Sequence, residues 1–438
     1  MNFAESVEYL FGLGNEVSAM KLGLENIRKL LAALGNPEKK FLKVQVAGTN
    51  GKGSTCAFLE SICLSAQINV GLYTSPHLIS VTERIKANGA EISETDFARH
   101  AAEIRKISEK LVESGELETV PTFFEQTTAI ALNFFAEQKV GLAILETGLG
   151  GRFDATTAVN AEIVALTPID FDHQKILGNT LAQIASEKTA IIQKGTKVFV
   201  APQKREVDKV ILGKCREVNV EPIFVVPKVK LTPKSDDYSN NAIFNTGNVK
   251  ITSKHNVYSD ISLNLWGKHQ WTNAALAIEI AENLRDFNYK LTDDNIRQGL
   301  NEARHFGRLE FRGGILFDGA HNVAGANALA EYLDEFINQP VTLVFGAMRD
   351  KDLSQITQIL FSKAASLILT KPGNPRSIET SELVKFVPKD FNEENLVVTE
   401  TVEEALNIAP FYALKGIICV TGSLYLVGEA QKLLNNKS

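Results

Sequence analysis

Residues 41 to 67 leave this chain little freedom in how it folds. Phe41 to Ala47 is an apolar run with the make-up of a buried strand. Gly48-Thr49-Asn50-Gly51-Lys52-Gly53 follows at once, and Ser54 to Gln67 suits a helix. A strand that passes through a glycine loop and a lysine into a helix is the layout of a phosphate cradle. Glycines let backbone N–H groups crowd around phosphate oxygens, and the helix N-terminus adds its positive dipole. Lys52 can reach terminal phosphates, Asn50, Gly51 and Gly53 shape the turn, and Ser54 or Thr55 can face a magnesium ion. The spelling departs from the usual phosphate loop: only two residues separate Gly48 from Gly51, and Gly53 stands between Lys52 and Ser54. The plain alternative is a tight strand-to-helix turn with an exposed lysine.

The 438 residues are too many for one ordinary core, so two or three domains are expected. Hydrophobic residues make up 44% and charged ones 22%, with a net charge of −6 and both signs spread along the chain. That balance offers no basic stripe and argues against a nucleic-acid partner. No apolar run is long enough to span a bilayer and no secretory leader is evident. Cys56, Cys63, Cys215 and Cys419 lack metal-type spacing; Cys56 and Cys63 read as small core residues, and a reduced cytoplasm is the default.

Periodicity predicts amphipathic helices over 4–13 and 24–34, the second stopped by Gly35 and Pro37. Short apolar strands at 70–73, 140–145, 162–166, 196–201 and 221–226 alternate with helices at 94–114, 123–138, 180–193 and 203–218. Such alternation means a mostly parallel sheet covered on both faces, with ligands at the C-terminal strand ends. The loop, Ser75, Glu146 and Asp170–His173 all follow strand ends. Residues 227–265 break the rhythm with polar, alternating runs and predict a small antiparallel β element. Helices at 272–285 and 291–303 come next, and a second alternating pattern starts at Gly313, with strands at 314–318, 341–345, 366–370, 396–400 and 416–421. The expected fold is α/β with two domains: residues 1–303, a linker over 304–312, and a smaller Rossmann-like domain over 313–438.

Several side chains in this frame could carry chemistry. Glu146 leaves a buried strand into the glycine-rich turn 147–151, where a carboxylate beside a phosphate loop suits magnesium. Arg152 could clamp a carboxylate or pair with Asp154. His173, in Asp170-Phe171-Asp172-His173, is an unusual magnesium ligand, and Lys188 on its helix would ordinarily be a solvated charge. His269, Gln270 and Asn273 offer polar groups for a base or ribose. Arg308 lies at the domain junction, where an arginine can touch phosphates. Asp318-Gly319-Ala320-His321-Asn322 and Ser423 are strand-end polar groups of the second domain, so a cleft with nucleotide on one wall and an acceptor on the other is expected.

In their order along the chain, these words resemble one family. The words are 23–27 (Gly-Leu-Glu-Asn-Ile), Leu34-Gly35-Asn36-Pro37, Ala47 to Thr55, Tyr73 to Leu78, Thr122-Phe123-Phe124-Glu125, Glu146 to Thr156, Asp172-His173, Glu187-Lys188-Thr189, Gly267 to Gln270, Gly307-Arg308-Leu309, Asp318 to Asn322 and Thr421 to Tyr425. The set is similar to the folylpolyglutamate synthase / dihydrofolate synthase family of Mur-ligase-type ATP-dependent amide ligases, over about residues 22 to 428. The resemblance implies that Asn50, Gly51, Lys52, Gly53, Ser54, Asn273, Arg308 and Asp318 hold ATP. Ser75 and Glu146 would coordinate one magnesium, and Glu146 and His173 would serve a second, helped by Lys188 carboxylated at its amine. Thr122, Phe124, Arg152 and Asp154 would lie along the pterin pocket, and His321 and Ser423 would bind the incoming glutamate. Lys52, Glu146, His173, Lys188, Asp318 and His321 would be the catalytic set. Thr147 stands where a small apolar residue is expected.

The implied reaction transfers the γ-phosphoryl of ATP to a pteroate or folate carboxylate, and the amine of L-glutamate then displaces phosphate. ATP, a pair of magnesium ions, dihydropteroate or tetrahydrofolate, and L-glutamate are the implied small molecules, a monovalent cation is left open, and a monomer is expected. The 23–25 and 122–125 words lean toward the bifunctional bacterial type, with a monofunctional folylpolyglutamate synthase as the alternative. A cell-wall precursor ligase would share the chemistry, but about 40 residues before the loop leave little room for its UDP-binding domain. A P-loop switch or motor ATPase would hydrolyse ATP without pterin or glutamate and would leave 318–322 without a purpose.

Overall fold

The computed structural model describes residues 1–14, 23–232 and 248–436. Three sheets organise them. The first holds Leu42–Ala47 (β1), Val70–Tyr73 (β2), Ile85–Ala87 (β3), Ala90–Glu91 (β4), Leu142–Glu146 (β5), Ile163–Leu166 (β6), Lys197–Val200 (β7) and Pro222–Phe224 (β8). Their order is β4-β3-β2-β5-β1-β6-β7-β8. From β2 to β8 all neighbours are parallel, and β1 lies centrally with Val46 beside Glu146 on one side and Ala165 on the other.

The central strands are buried along nearly their whole length, as parallel strands covered on both faces must be. On one face the helices Lys52–Ser65, His269–Leu284 and Asp293–Glu302 pack through Phe58, Ile62, Leu276, Ile280 and Leu300. Glu94–Glu113 and Phe123–Glu137 cover much of the other through Phe97, Ile104, Ile130 and Phe135. Cys56 and Cys63 are buried in the first of these cores, as their spacing suggested.

Lys228–Thr232 (β9), Asn248–Thr252 (β10) and Val257–Ile261 (β11) form an antiparallel sheet within the stretch expected to hold one. Residues 233–247 of that stretch lie outside the described residues. The third sheet runs β12-β13-β17-β14-β15-β16, built from Glu310–Arg312 (β12), Ile315–Phe317 (β13), Val341–Phe345 (β14), Ser366–Leu369 (β15), Leu396–Val398 (β16) and Ile417–Thr421 (β17). It is parallel except for β12, which folds back on β13. The stretch read as a plain linker therefore ends in an edge strand. The C-terminal ends of β1, β2, β5 and β6 in the first sheet, and of β13, β14 and β17 in the third, lead to residues that line one cleft of about 360 Å³.

Candidate active site

The glycine loop is built from conformations that side chains resist. Gly48 and Gly51 take φ of 150° and 88°, and a Cβ at either would run into Thr167 or Asn273. The helix Lys52–Ser65 starts directly from Gly51, so its free N–H groups face the cleft. Pro168 accepts from the Thr49 N–H at 3.0 Å, and the Thr49 hydroxyl donates to the Asp170 carbonyl at 2.9 Å, which ties the loop to the end of β6. Lys52 curls over its own loop, with Nζ donating to the Thr49 carbonyl at 3.2 Å.

Beside the loop, the Ser75 N–H donates to Glu146 Oε2 at 3.1 Å, bringing together the ends of β2 and β5. At the end of β6, His173 takes a left-handed φ of 50°, a strained setting for a histidine and common at functional sites. Burial, with the cations Lys351, Lys188 and Lys52 nearby, pushes its imidazole down to about 4 against the pull of Asp172. Lys188 is buried, and its Nζ donates to the Gly48 carbonyl at 2.7 Å. Burial and the neighbouring Lys52 bring its amine down to about 7.

The opposite wall comes from the third sheet. Asp318 accepts N–H bonds from Leu309 at 3.0 Å and Ala320 at 2.9 Å, yet burial still raises its carboxyl. Arg308 Nη1 donates to the Gly319 carbonyl at 3.4 Å. His321 Nδ1 lies 2.7 Å from the same carbonyl, so that nitrogen carries the proton. Asn322 caps the helix Val323–Phe336 and exchanges side-chain hydrogen bonds with Asn50 of the phosphate loop at 2.9 and 3.3 Å. Its amide also donates to Asp172 at 3.1 Å, and Lys351, just past β14, pairs with Asp172 at 2.6 Å. Burial alone would raise the Asp172 carboxyl, but Lys351, His321 and His173 together hold it well below the usual carboxylate range. The two sheets thus meet through a network of buried polar groups at the cleft itself.

Of the residues singled out from sequence, Asn50 to Ser54, Ser75, Glu146, His173, Lys188, Asn273, Arg308, Asp318, His321 and Ser423 all line this cleft. Thr122, Phe124, Arg152 and Asp154 do not line it. Thr122 caps the helix Phe123–Glu137, and the Phe124 ring packs over Gly148 just behind the cleft wall. Arg152 was expected to clamp a carboxylate or pair with Asp154. The carboxylate it holds is that of Glu187, at 2.9 Å and half-exposed, and not Asp154, which is already filled by the N–H groups of Gly148, Leu149 and Thr156. Asp154 is buried and holds the glycine turn together from inside. Thr147 also has a place: its hydroxyl donates to the Val46 carbonyl at 3.3 Å. Sequence reading passed over Lys351, His305 and Arg376, which share the cleft. The signal for the first was available, since Asp350-Lys351-Asp352 is a charged strand end like the others.

Comparison with known proteins bears on this arrangement. The Mur ligase middle domain model matches residues 46–281, and the model for the C-terminal domain of dihydrofolate synthetase matches 308–433. The dihydrofolate synthase/folylpolyglutamate synthase of Bacillus subtilis is 35% identical over 434 residues, covering 95% of both chains. This chain belongs to the dihydrofolate synthase/folylpolyglutamate synthase family. Folylpolyglutamate synthase of Lacticaseibacillus casei is 31% identical over 453 residues, with both chains fully covered. Among solved structures of the family, Mycobacterium tuberculosis folylpolyglutamate synthase complexed with ADP and AMPPCP superposes with a TM-score of 0.88, at 29% identity over 99% of each chain. E. coli FolC in complex with DHPP and ADP gives 0.84 at 28% identity, over 100% of this chain and 98% of that one. Family membership makes this an ATP-dependent ligase of the Mur type. Among the described residues no helix is long and apolar enough to cross a membrane.

Proposed function

We propose that this family member joins L-glutamate to the carboxylate of a pteroate or folate at the expense of ATP, through an acyl phosphate, in both dihydrofolate synthesis and polyglutamate extension. The observation that carries the reading is the facing of the phosphate loop and the 318–322 strand end across one cleft, bridged by Asn50 and Asn322. A two-walled site answers the chemistry. A carboxylate is a poor electrophile near neutral pH, and phosphorylation gives it a leaving group; the amine of glutamate then attacks the acyl carbon and phosphate departs. The protein's part is positioning and charge neutralisation.

In this reading the N-terminal N–H groups of Lys52–Ser65 and the Lys52 amine receive the triphosphate, and Asn273, Arg308 and Asp318 hold the rest of the nucleotide. His321 and Ser423 face the incoming glutamate from the other wall. Asp154 positions the 147–151 turn, and Thr122 and Phe124 support the acceptor side from behind, with Arg152 set further out.

Among the described residues no three His, Cys, Asp or Glu side chains form a set able to hold a metal alone. That fits magnesium, which keeps several waters and shares substrate phosphates rather than sitting in an all-protein cage. Ser75 and Glu146, already in contact, would supply its hard oxygen donors, and Glu146, His173 and a carboxylated Lys188 would serve a second ion. Bound there, magnesium would neutralise charge on the transferring phosphoryl oxygens. The working unit in this reading is a monomer, with residues 1–303 and 313–438 as its two domains.

The test is an assay of the purified protein with ATP, Mg2+ and L-glutamate, and with dihydropteroate or a tetrahydrofolate monoglutamate as acceptor. Products heavier by one glutamyl unit and stoichiometric ADP are expected with both. ATP hydrolysis indifferent to acceptor and glutamate would overturn the reading, and activity with only one acceptor would cut it to a monofunctional enzyme.

A further inference from the structure

His305 stands on the connector between the two larger sheets, far in sequence from the phosphate loop, yet its ring lies against that loop. A Cβ placed on Gly53 would come within 2.7 Å of His305 Cε1 and 3.4 Å of Glu146 Oε2. The odd glycine between Lys52 and Ser54 is thus accounted for: the ring occupies the space any side chain at 53 would need. His305 Nδ1 is also 3.1 Å from the Ser54 hydroxyl oxygen.

The direction of that hydrogen bond turns on the His305 tautomer. Gln270 Nε2 donates to Ser54 Oγ at 3.3 Å, and Gln270 Oε1 accepts from Asn273 Nδ2 at 2.9 Å. Ser54 has one hydroxyl proton, and one of its lone pairs is taken by Gln270. A His305 ring protonated on Nε2 would take that proton at Nδ1, while a ring protonated on Nδ1 would fill the second Ser54 lone pair instead. In the first arrangement one Ser54 lone pair stays open, and Ser54 lines the cleft.

We propose that His305 is a positioning residue of the phosphate loop: it holds the Ser54 hydroxyl with its proton turned away, so that the oxygen meets the bound nucleotide and its cation as an acceptor. Without the imidazole the hydroxyl is free to rotate and to point its proton at the incoming charge. Because His305 belongs to the 304–312 connector, the same contact ties the phosphate loop to the segment that links the two sheets. The inference rests on the nucleotide-binding reading of this cleft.

Calorimetric titration with a non-hydrolysable ATP analogue in excess Mg2+ tests it on the full-length protein. His305→Phe keeps a ring over Gly53 but removes the acceptor, and it should weaken binding about five- to tenfold, the worth of one hydrogen bond. His305→Asn, whose side-chain oxygen can stand near the place of Nδ1, should recover part of that loss. The decisive measurement is the cycle with Ser54→Ala. If His305 acts through the Ser54 hydroxyl, His305→Phe costs nothing further in the Ser54→Ala background. Full and independent losses for the two substitutions, or wild-type affinity in His305→Phe, would overturn the inference alone. Failure of the wild-type protein to bind the analogue would overturn it together with the nucleotide reading. Should His305→Phe not fold, the same cycle is run with His305→Asn and His305→Ala.

Discussion

Lys351 Nζ lies 2.6 Å from Asp172 Oδ1, and the two side chains, 8% and 9% exposed, join strand ends of different sheets. Two charges this close out of water owe much to each other's presence, because each has surrendered hydration. Lys351→Met would leave the Asp172 carboxylate buried with only Asn322 and the neighbouring histidines for company. A loss of about 3–5 kcal/mol in unfolding free energy is expected. Combined with Asp172→Asn, the same change should cost much less than the sum of the two. Denaturant titration of the four proteins measures this, and additive losses would show that the pair is not the unit holding this junction.

Lys52→Ala removes a side chain whose one hydrogen bond among the described residues is to its own loop carbonyl, so the fold should survive with little change in melting temperature. Turnover should fall by orders of magnitude, since the charge facing the transferring phosphoryl group is gone. ADP release in a coupled assay gives the answer. A variant that forms the amide at the normal rate would remove Lys52 from the site.

At Gly51 backbone and space act together. Its φ of 88° is costly for alanine by about 1 kcal/mol, and the added methyl would collide with the Asn273 side chain. Gly51→Ala should therefore shift a residue expected to hold the nucleotide while also distorting the loop. A KM for ATP raised at least tenfold, with a melting temperature lowered by only a few degrees, is the expected pattern. A large stability loss with unchanged KM would place the role of Gly51 in folding alone.

Much of this site could be read from the chain because its parts sit where geometry is tightly constrained. The 48–53 loop announces itself by glycine spacing, and Glu146, His173, Asp318 and His321 by following apolar runs that could only be buried strands. What went unread depends on contacts between distant segments. Asp172 gained no role until its partner Lys351, from another sheet, was in view, and nothing local to His305 hints at Ser54. The sequence leaves open whether Arg152 clamps a carboxylate or pairs with Asp154, because proximity along the chain says little once a turn buries one and exposes the other. Three short strands, β3, β4 and β12, were missed although the turns were legible. Asn88-Gly89 and Gly313-Gly314 take left-handed φ values of 52°, 81°, 58° and 82°, the pattern of a two-residue hairpin turn. Short strands of two or three residues simply carry too little alternation to register.

Carboxylation of Lys188 belongs to the function proposed above and can be tested by itself. Its amine, pulled down to about 7 by burial and by Lys52, is substantially unprotonated at pH 8, and only the neutral amine can attack CO2, releasing a proton as the carbamate forms. Incubation with 13C-bicarbonate and Mg-nucleotide should give a carbamate carbon signal that grows as pH rises through 7 and is missing in Lys188→Met. An unmodified amine in the fully assembled complex, seen by mass or by NMR, would withdraw the modification.

Stability should fall in mild acid, and the histidines set the window. Burial, aided by nearby cations, brings His77, His305 and His321 down to about 3 and His269 to about 4. An unfolded chain would protonate the same rings near pH 6.5. Between about pH 6.5 and 4 the unfolded state therefore binds protons that the folded state refuses, and the folded state loses ground as pH drops. Glu60 acts in the opposite sense. Its carboxyl is raised to about 7 by burial, so the folded state takes up a proton there before the unfolded state does. The raised carboxyls of Asp154 and Asp318 act in the same sense as Glu60, and the lowered imidazoles, His173 among them, leave the net slope with the histidines. The melting temperature should already slip between pH 8 and 7, where the unfolded state holds the Lys188 proton that the folded state gives up, and should decline further from 6.5 to 4.5. His321→Gln should flatten that decline without removing it. A melting temperature that rises on acidification through this window would mean that the rings become charged inside the folded protein, and that the cleft is wetter than its packing implies.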